Sequence, residues 1–418
     1  MSTVNEFDRS LETWLADVRP TAAPSGLLDQ ALVRVAETPR RRSWLIGDRW
    51  MWGATARRAA ATGRVFLVAG ALLLLVVAIV AAVILVGSPR AAPPFGLTTP
   101  GYITEDAADG IIVARSDGSQ RHVLVPKDGE SVSPIWSRDG LHLAFWNRPA
   151  PGKPWDLTVV DQDGGGRHVI ASGITLRERE EAFSQPSAIS WSPDSQRMTY
   201  AADTPGGTSI FVADLGGTVD PITDPGFRGI DPAWSPDGRT IVYVSELSAT
   251  LHTVSPDGTH ERELASLRGI VLWPDWSPDG TLIAVSAPAG PNDQLDIFTV
   301  SADGSTVTNV SHDPSGEFSP TWSPDGSRLA WARAPADESA RAYVVVGSAD
   351  GTRVVELRTP ADLAPPVWSP DGTRVFSYVM DDKGSFYQLL VLDPEGTAPP
   401  VRIPIDGSVG NGSWQRLP

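Results

Sequence analysis

From residue 101 onward the chain alternates short apolar runs with polar punctuation. One set of runs includes Leu143–Trp146, Ile241–Val244, Leu282–Val285 and Val375–Tyr378. A second set follows it, including Leu157–Val160, Leu251–Val254, Ile297–Val300 and Leu389–Leu392. The runs are rich in Val, Ile, Tyr and Phe and are bounded by Gly, Pro and Asp, which predicts strands rather than helices. Asp-Gly pairs follow the second set at Asp163-Gly164, Asp257-Gly258, Asp303-Gly304 and Asp350-Gly351. They suit tight hairpins, because glycine accepts a positive φ without steric cost. Upstream the pattern is different: residues 65–87 form one apolar stretch of 23 positions without a charge.

The strand pattern repeats. Trp276-Ser-Pro-Asp279-Gly280 recurs with the same five letters at Trp234 to Asp237-Gly238, Trp322 to Asp325-Gly326 and Trp368 to Asp371-Gly372. Near copies begin at Trp136 and Trp191, and Trp414 closes the series without the Pro-Asp-Gly. The steps between these tryptophans are 55, 43, 42, 46, 46 and 46 residues. With the tryptophan-bearing strand, each repeat holds four antiparallel strands, the size of a propeller blade. Residues 101–126 read as a blade lacking its first strand, which Trp414 supplies from the other end of the chain. The expected fold is therefore an all-β, seven-bladed propeller with four-stranded antiparallel blades. The N- and C-terminal segments of the ring share the closing blade. A six-bladed ring would leave one tryptophan repeat unused.

These repeats resemble the TolB-type, WD40-like propeller family with its Trp-Ser-Pro-Asp-Gly signature, over residues 101–418. The resemblance implies the propeller fold and is far less specific for function. Soluble TolB proteins carry an N-terminal α/β domain, where this chain has a helical tail and an apolar span. Serine peptidases with similar propellers add a hydrolase domain after the ring, for which no room is expected here. The layout also resembles membrane anti-sigma factors, without the His and Cys of their zinc-binding version.

Residues 1–64 predict a cytosolic tail of two short helices, one carrying Phe7, Leu11, Trp14, Leu15 and Val18, the other Leu28, Leu32, Val35 and Ala36. The 65–87 stretch is long enough to cross a bilayer and is expected to be a transmembrane helix. Arg49, Arg57, Arg58 and Arg64 precede it and only Arg90 closely follows, so the N-terminus should be cytosolic and the propeller extracytoplasmic. Residues 88–100, with Pro89, Pro93 and Pro94, read as a semi-rigid stalk.

The formal charge is −16, unevenly distributed. Residues 1–64 carry ten Arg against seven Asp and Glu, leaving 24 basic and 43 acidic residues for the rest. An acidic ring repels phosphate backbones, which argues against a nucleic-acid partner. The absence of cysteine rules out disulfides and Cys-based zinc sites. The six histidines form no close ligand pair, and the Asp-Gly pairs lack a calcium-loop spacing, so no metal or cofactor is expected. No Gly-x-Ser-x-Gly elbow or phosphate loop marks a catalyst.

In such a blade the turns between strands one and two, and between three and four, lie on one face. Here that face carries nearly constant Ser-Pro-Asp-Gly and Asp-Gly turns. The opposite face carries the variable loops, among them Ala287–Gln294, Ala334–Arg341, Met380–Ser385 and the long crossing 174–186. Variable loops on a rigid scaffold are where binding commonly sits. Three places before each motif tryptophan, Ser133, Ala188, Asp231, Trp273, Ser319, Pro365 and Asn411 should ring the channel mouth. Asp231, Trp273 and Asn411, with Asp275 and Glu317 beside them, form the candidate ligand-facing set. The expected function is an anchored extracytoplasmic scaffold that binds a protein, peptide or glycan of the cell envelope. The alternatives are a transmembrane sensor, in which residues 1–64 hold a cytosolic partner, and a propeller hydrolase or lyase.

Overall fold

A computed structural model of the chain describes residues 97–176, 188–246, 250–289, 294–335, 341–358, 366–380, 386–404 and 412–417. The expected helical tail, the 65–87 span and most of the stalk lie outside these residues, as does Asn411. Among the described residues no helix is long and apolar enough to cross a membrane.

Seven four-stranded antiparallel sheets make the ring. Blade 1 runs from Glu130–Trp136 on the inside, through His142–Arg148 and Trp155–Asp161, to His168–Ile174 on the outside. Blades 2 to 6 repeat this order, with inner strands ending at Trp191, Trp234, Trp276, Trp322 and Trp368. Blade 7 takes its inner strand, Trp414–Leu417, from the end of the chain and its other three, Thr99–Ala107, Gly110–Ala114 and His122–Pro126, from the start of the ring. Thr99 and Pro100, assigned to the stalk by sequence, already pair with Leu417 and Arg416. Side chains reinforce the closure. Thr104 Oγ1 donates to Ser413 O at 3.1 Å, Ser413 Oγ accepts from Trp136 N at 2.9 Å, and Gln415 Nε2 donates to Gly140 O at 2.9 Å.

The apolar runs are buried between blades. Seven core clusters fill the seven blade interfaces, and each contains one motif tryptophan. Trp276, for example, packs with Ile230, Val242 and Leu251 of blade 3. Four of the indoles also donate backward across the interface: Trp191, Trp276, Trp322 and Trp368 bond the carbonyls of Ile135, Ala233, Asp275 and Thr321 at 3.2–3.3 Å. Each of these four tryptophans thus fills an apolar gap and satisfies an inner-strand carbonyl together.

The rest of the motif builds its turn. In blade 4, Ser277 Oγ donates to Asp279 Oδ1 at 2.6 Å and accepts from Leu282 N at 2.9 Å. Gly280 has φ +72°. The aspartates are therefore occupied by their own turns. The proline of one blade packs against the motif glycine of the next: Pro193 on Gly238, Pro236 on Gly280, Pro278 on Gly326 and Pro324 on Gly372.

Candidate functional site

The inner strands approach the variable face through a shared irregularity. Pairing skips between Val132 and Ile135, Ile230 and Ala233, Leu272 and Asp275, and Phe318 and Thr321. The two skipped residues are in each case the one three before the tryptophan and the proline after it. Proline has no N–H to give the ladder and excludes the right-handed helical region for its predecessor. The predecessor turns left-handed instead: Ser133, Asp231, Trp273 and Ser319 have φ of 56°, 50°, 53° and 56°. Such conformations are uncommon for a non-glycine residue and strained for a bulky one. A bulge of this kind re-aims the side chain at the end of a strand.

Asp231 and Trp273 occupy this same bulge position in the neighbouring blades 3 and 4, both half-buried. Trp273 meets Phe318 of blade 5 edge-on, with ring centroids 6.2 Å apart. The other two described members of the candidate set lie elsewhere. Glu317 has no exposed surface. Its Oε1 accepts from Trp331 Nε1 at 2.7 Å and from Arg333 Nε at 2.8 Å. Arg333 also pairs with Asp313 at 3.0 Å and Glu356 at 2.8 Å. Burial works against the Arg333 charge, but the surrounding carboxylates outweigh it and hold its pKa above the ordinary value. Glu317 is therefore a member of a closed internal network rather than of the channel surface.

Asp275 lies deeper in the channel than Asp231 and Trp273. Its Oδ2 accepts from Trp322 N at 2.8 Å, the interblade bond that Ser190 Oγ makes to Trp234 N and Ser413 Oγ makes to Trp136 N. It borders a cavity of about 280 Å³ at the centre of the ring, which Arg138 and Arg416 also line. Burial raises the Asp275 carboxyl to about 6, against the lowering influence of the Trp322 N–H and of Arg138. Burial and the neighbouring Arg416 lower Arg138 to about 10, while Asp275 opposes the shift. Arg138 therefore stays cationic at neutral pH.

Neither arginine belongs to the set expected from sequence. The signal was present, since both stand two places after a motif tryptophan, where the other five repeats have Pro193, Pro236, Pro278, Pro324 and Pro370. Among the described residues no group of three or more His, Asp or Glu could hold a metal ion.

No family model matches the chain. A TolB homolog of Chlorobium luteolum is 25% identical over 178 residues, 41% of this chain and 40% of that protein. An uncharacterized peptidase of Bacillus subtilis, YuxL, is 38% identical over 90 residues, 21% of this chain and 14% of that protein. The crystal structure of TolB from Acinetobacter baumannii superposes with a TM-score of 0.51 at 17% identity, over 75% of this chain and 81% of that one. The seven-bladed ring is similar to the propellers of these TolB proteins. The matched stretch spans less than half the length of either curated relative. At 17% identity, the likeness to the solved TolB concerns the fold alone.

Proposed function

We propose that the chain is a binding scaffold of the cell envelope, anchored by residues 65–87, whose propeller takes a protein, peptide or glycan at its variable face. The observation that carries this reading is the asymmetry of the ring. On the constant face the Ser, Asp and Gly of each turn are consumed by the turn itself. On the variable face the scaffold holds Asp231 and Trp273 in strained bulges beside loops of unequal length. A polar and an aromatic side chain presented by a rigid frame suit recognition of an extended or glycosidic surface. The described chain enters the ring at the constant face, where Thr98 N donates to Pro370 O at 3.0 Å.

Crosslinking in native membranes, followed by affinity capture and mass spectrometry, tests the reading. The full chain is compared with a form lacking residues 1–64. The scaffold reading expects extracytoplasmic partners that the deletion leaves unchanged. Loss of a cytosolic partner with the tail would instead favour the sensor, with the propeller as its input domain.

A further inference from the structure

On the constant face the grooves between blades are filled in different ways, and one is left open. The side chain six places after the motif tryptophan is His142, Arg197, Thr240, Leu282, Arg328 and Arg374 in blades 1 to 6. Arg197 lies over the Trp234 ring of the next blade, its guanidinium carbon 4.9 Å from the ring centroid. Arg328 lies over Trp368 in the same way at 4.8 Å. Its guanidinium also donates to Gly372 O at 3.2 Å and to Glu395 Oε1 at 2.9 Å. Leu282 packs against the cluster that contains Trp322. Thr240 is the shortest of the six side chains, and beside it a cavity of about 510 Å³ lies between blades 3 and 4. Its lining includes Thr240, Trp276, Gly280, Asp237 and Asp279. Trp276 and Gly280 hold the motif positions that Trp368 and Gly372 hold beneath Arg328.

Arginine is thus the group that this ring itself puts into two equivalent grooves. The planar guanidinium stacks on an indole and donates to a backbone carbonyl and a carboxylate. The open groove offers the same kinds of partner. Asp237 and Asp279 give their Oδ1 atoms to their own turns but keep their charge. Burial works to raise the Asp279 carboxyl, but the bonds from Ser277 and Thr281 outweigh it and hold it below the ordinary value, so it is an anion at neutral pH. Two further residues of the lining, His260 and Arg262, are already engaged. His260 Nδ1 lies 2.7 Å from Thr259 Oγ1. Arg262 Nη2 donates across the blades to Ala302 O at 3.4 Å and bounds the groove on its outer side. That bound suits a compact ligand rather than a chain running through. We propose that this groove binds the guanidinium group of a small molecule, such as free arginine, on the Trp276 ring. The site is separate from the variable face and does not depend on the scaffold reading.

Ligand-observed NMR titration of the purified full chain with L-arginine and L-citrulline tests the proposal. The two ligands have the same length and the same α groups, and citrulline replaces the guanidinium by a neutral urea. Arginine should saturate a single site and bind about tenfold or more tightly than citrulline. Thr240→Arg copies the filling of blades 2 and 5, and Thr240→Leu copies that of blade 4. Each should occupy the groove from within, weaken arginine binding about tenfold or more and leave the melting temperature no lower than wild type. Equal affinity for arginine and citrulline would overturn the proposal, and that comparison needs no variant. A folded Thr240→Arg or Thr240→Leu chain that binds arginine as wild type does would overturn it as well. Tighter binding of an acetyl-Gly-Arg-Gly-amide tripeptide than of arginine would overturn the assignment to a small molecule.

Discussion

Two charged clusters in this ring teach opposite lessons. Around Arg333, one guanidinium meets Glu317, Asp313 and Glu356 within 3.0 Å. It lies between strands of blade 5, and Glu317 is completely buried. Around Arg138 and Arg416, two guanidinium groups share a cavity with one carboxylate on a different blade. The first cluster is compensated locally and holds three strands and a loop together. The second gathers groups from blades 1, 4 and 7 around one cavity. A buried charge surrounded by opposite charges is a structural device whose removal is costly. Charged groups from separate blades that line one cavity are brought together only by the closed ring.

The largest effect should come from breaking the compensated cluster. Glu317→Ala leaves Arg333 without its most buried partner and should lower stability by about 3–5 kcal/mol in denaturant unfolding. Trp322→Ala should cost a similar amount, about 3–5 kcal/mol, because the indole fills the interface between blades 4 and 5. An unchanged melting temperature in either variant would contradict its assignment. Arg138→Pro should fall within about 1 kcal/mol of wild type, since the turn already accepts proline elsewhere. That contrast with Glu317→Ala separates the cavity-lining cluster from the one buried within blade 5.

Proton linkage sharpens the comparison further. The Asp275 carboxyl, raised to about 6, binds its proton more tightly in the folded chain than in the unfolded one. Its contribution to stability is fully present below the usual carboxylate pKa and is lost as pH rises through about 6. Asp275→Asn should therefore gain melting temperature relative to wild type at pH 7.5 more than at pH 5. An equal difference at both pH values would remove Asp275 from the account. The smallest effect is expected at the bulges. Ser319→Gly relieves a left-handed φ of 56° and should raise stability by about 1 kcal/mol, read as a small rise in melting temperature.

The architecture was legible in the sequence because it is written seven times. The tryptophan period fixed blade number, strand order and closure, and Ser, Asp and Gly of the motif announced the turn. The site was legible only in part. Asp231 and Trp273 were singled out by their spacing, but the left-handed bulge they share depends on strand pairing, which spacing does not reveal. Glu317 was misplaced for the same reason: a neighbour in sequence at the channel mouth proved to face the blade interior, where Arg333 and Trp331 hold it. Arg138 and Arg416 lie 278 residues apart in number and become neighbours only when blade 7 closes on blade 1. Their departure from proline was visible, and its meaning waited on the ring.

The central claim is that the variable face is the binding face. Site-specific photocrosslinking in native membranes tests it most directly, with the photoreactive residue placed at Asp231 in one variant and at Asp257, in a constant-face turn, in another. A discrete adduct from position 231 and none from 257 is the expected result. An adduct from 257 alone would contradict the account and move recognition to the opposite face of the ring.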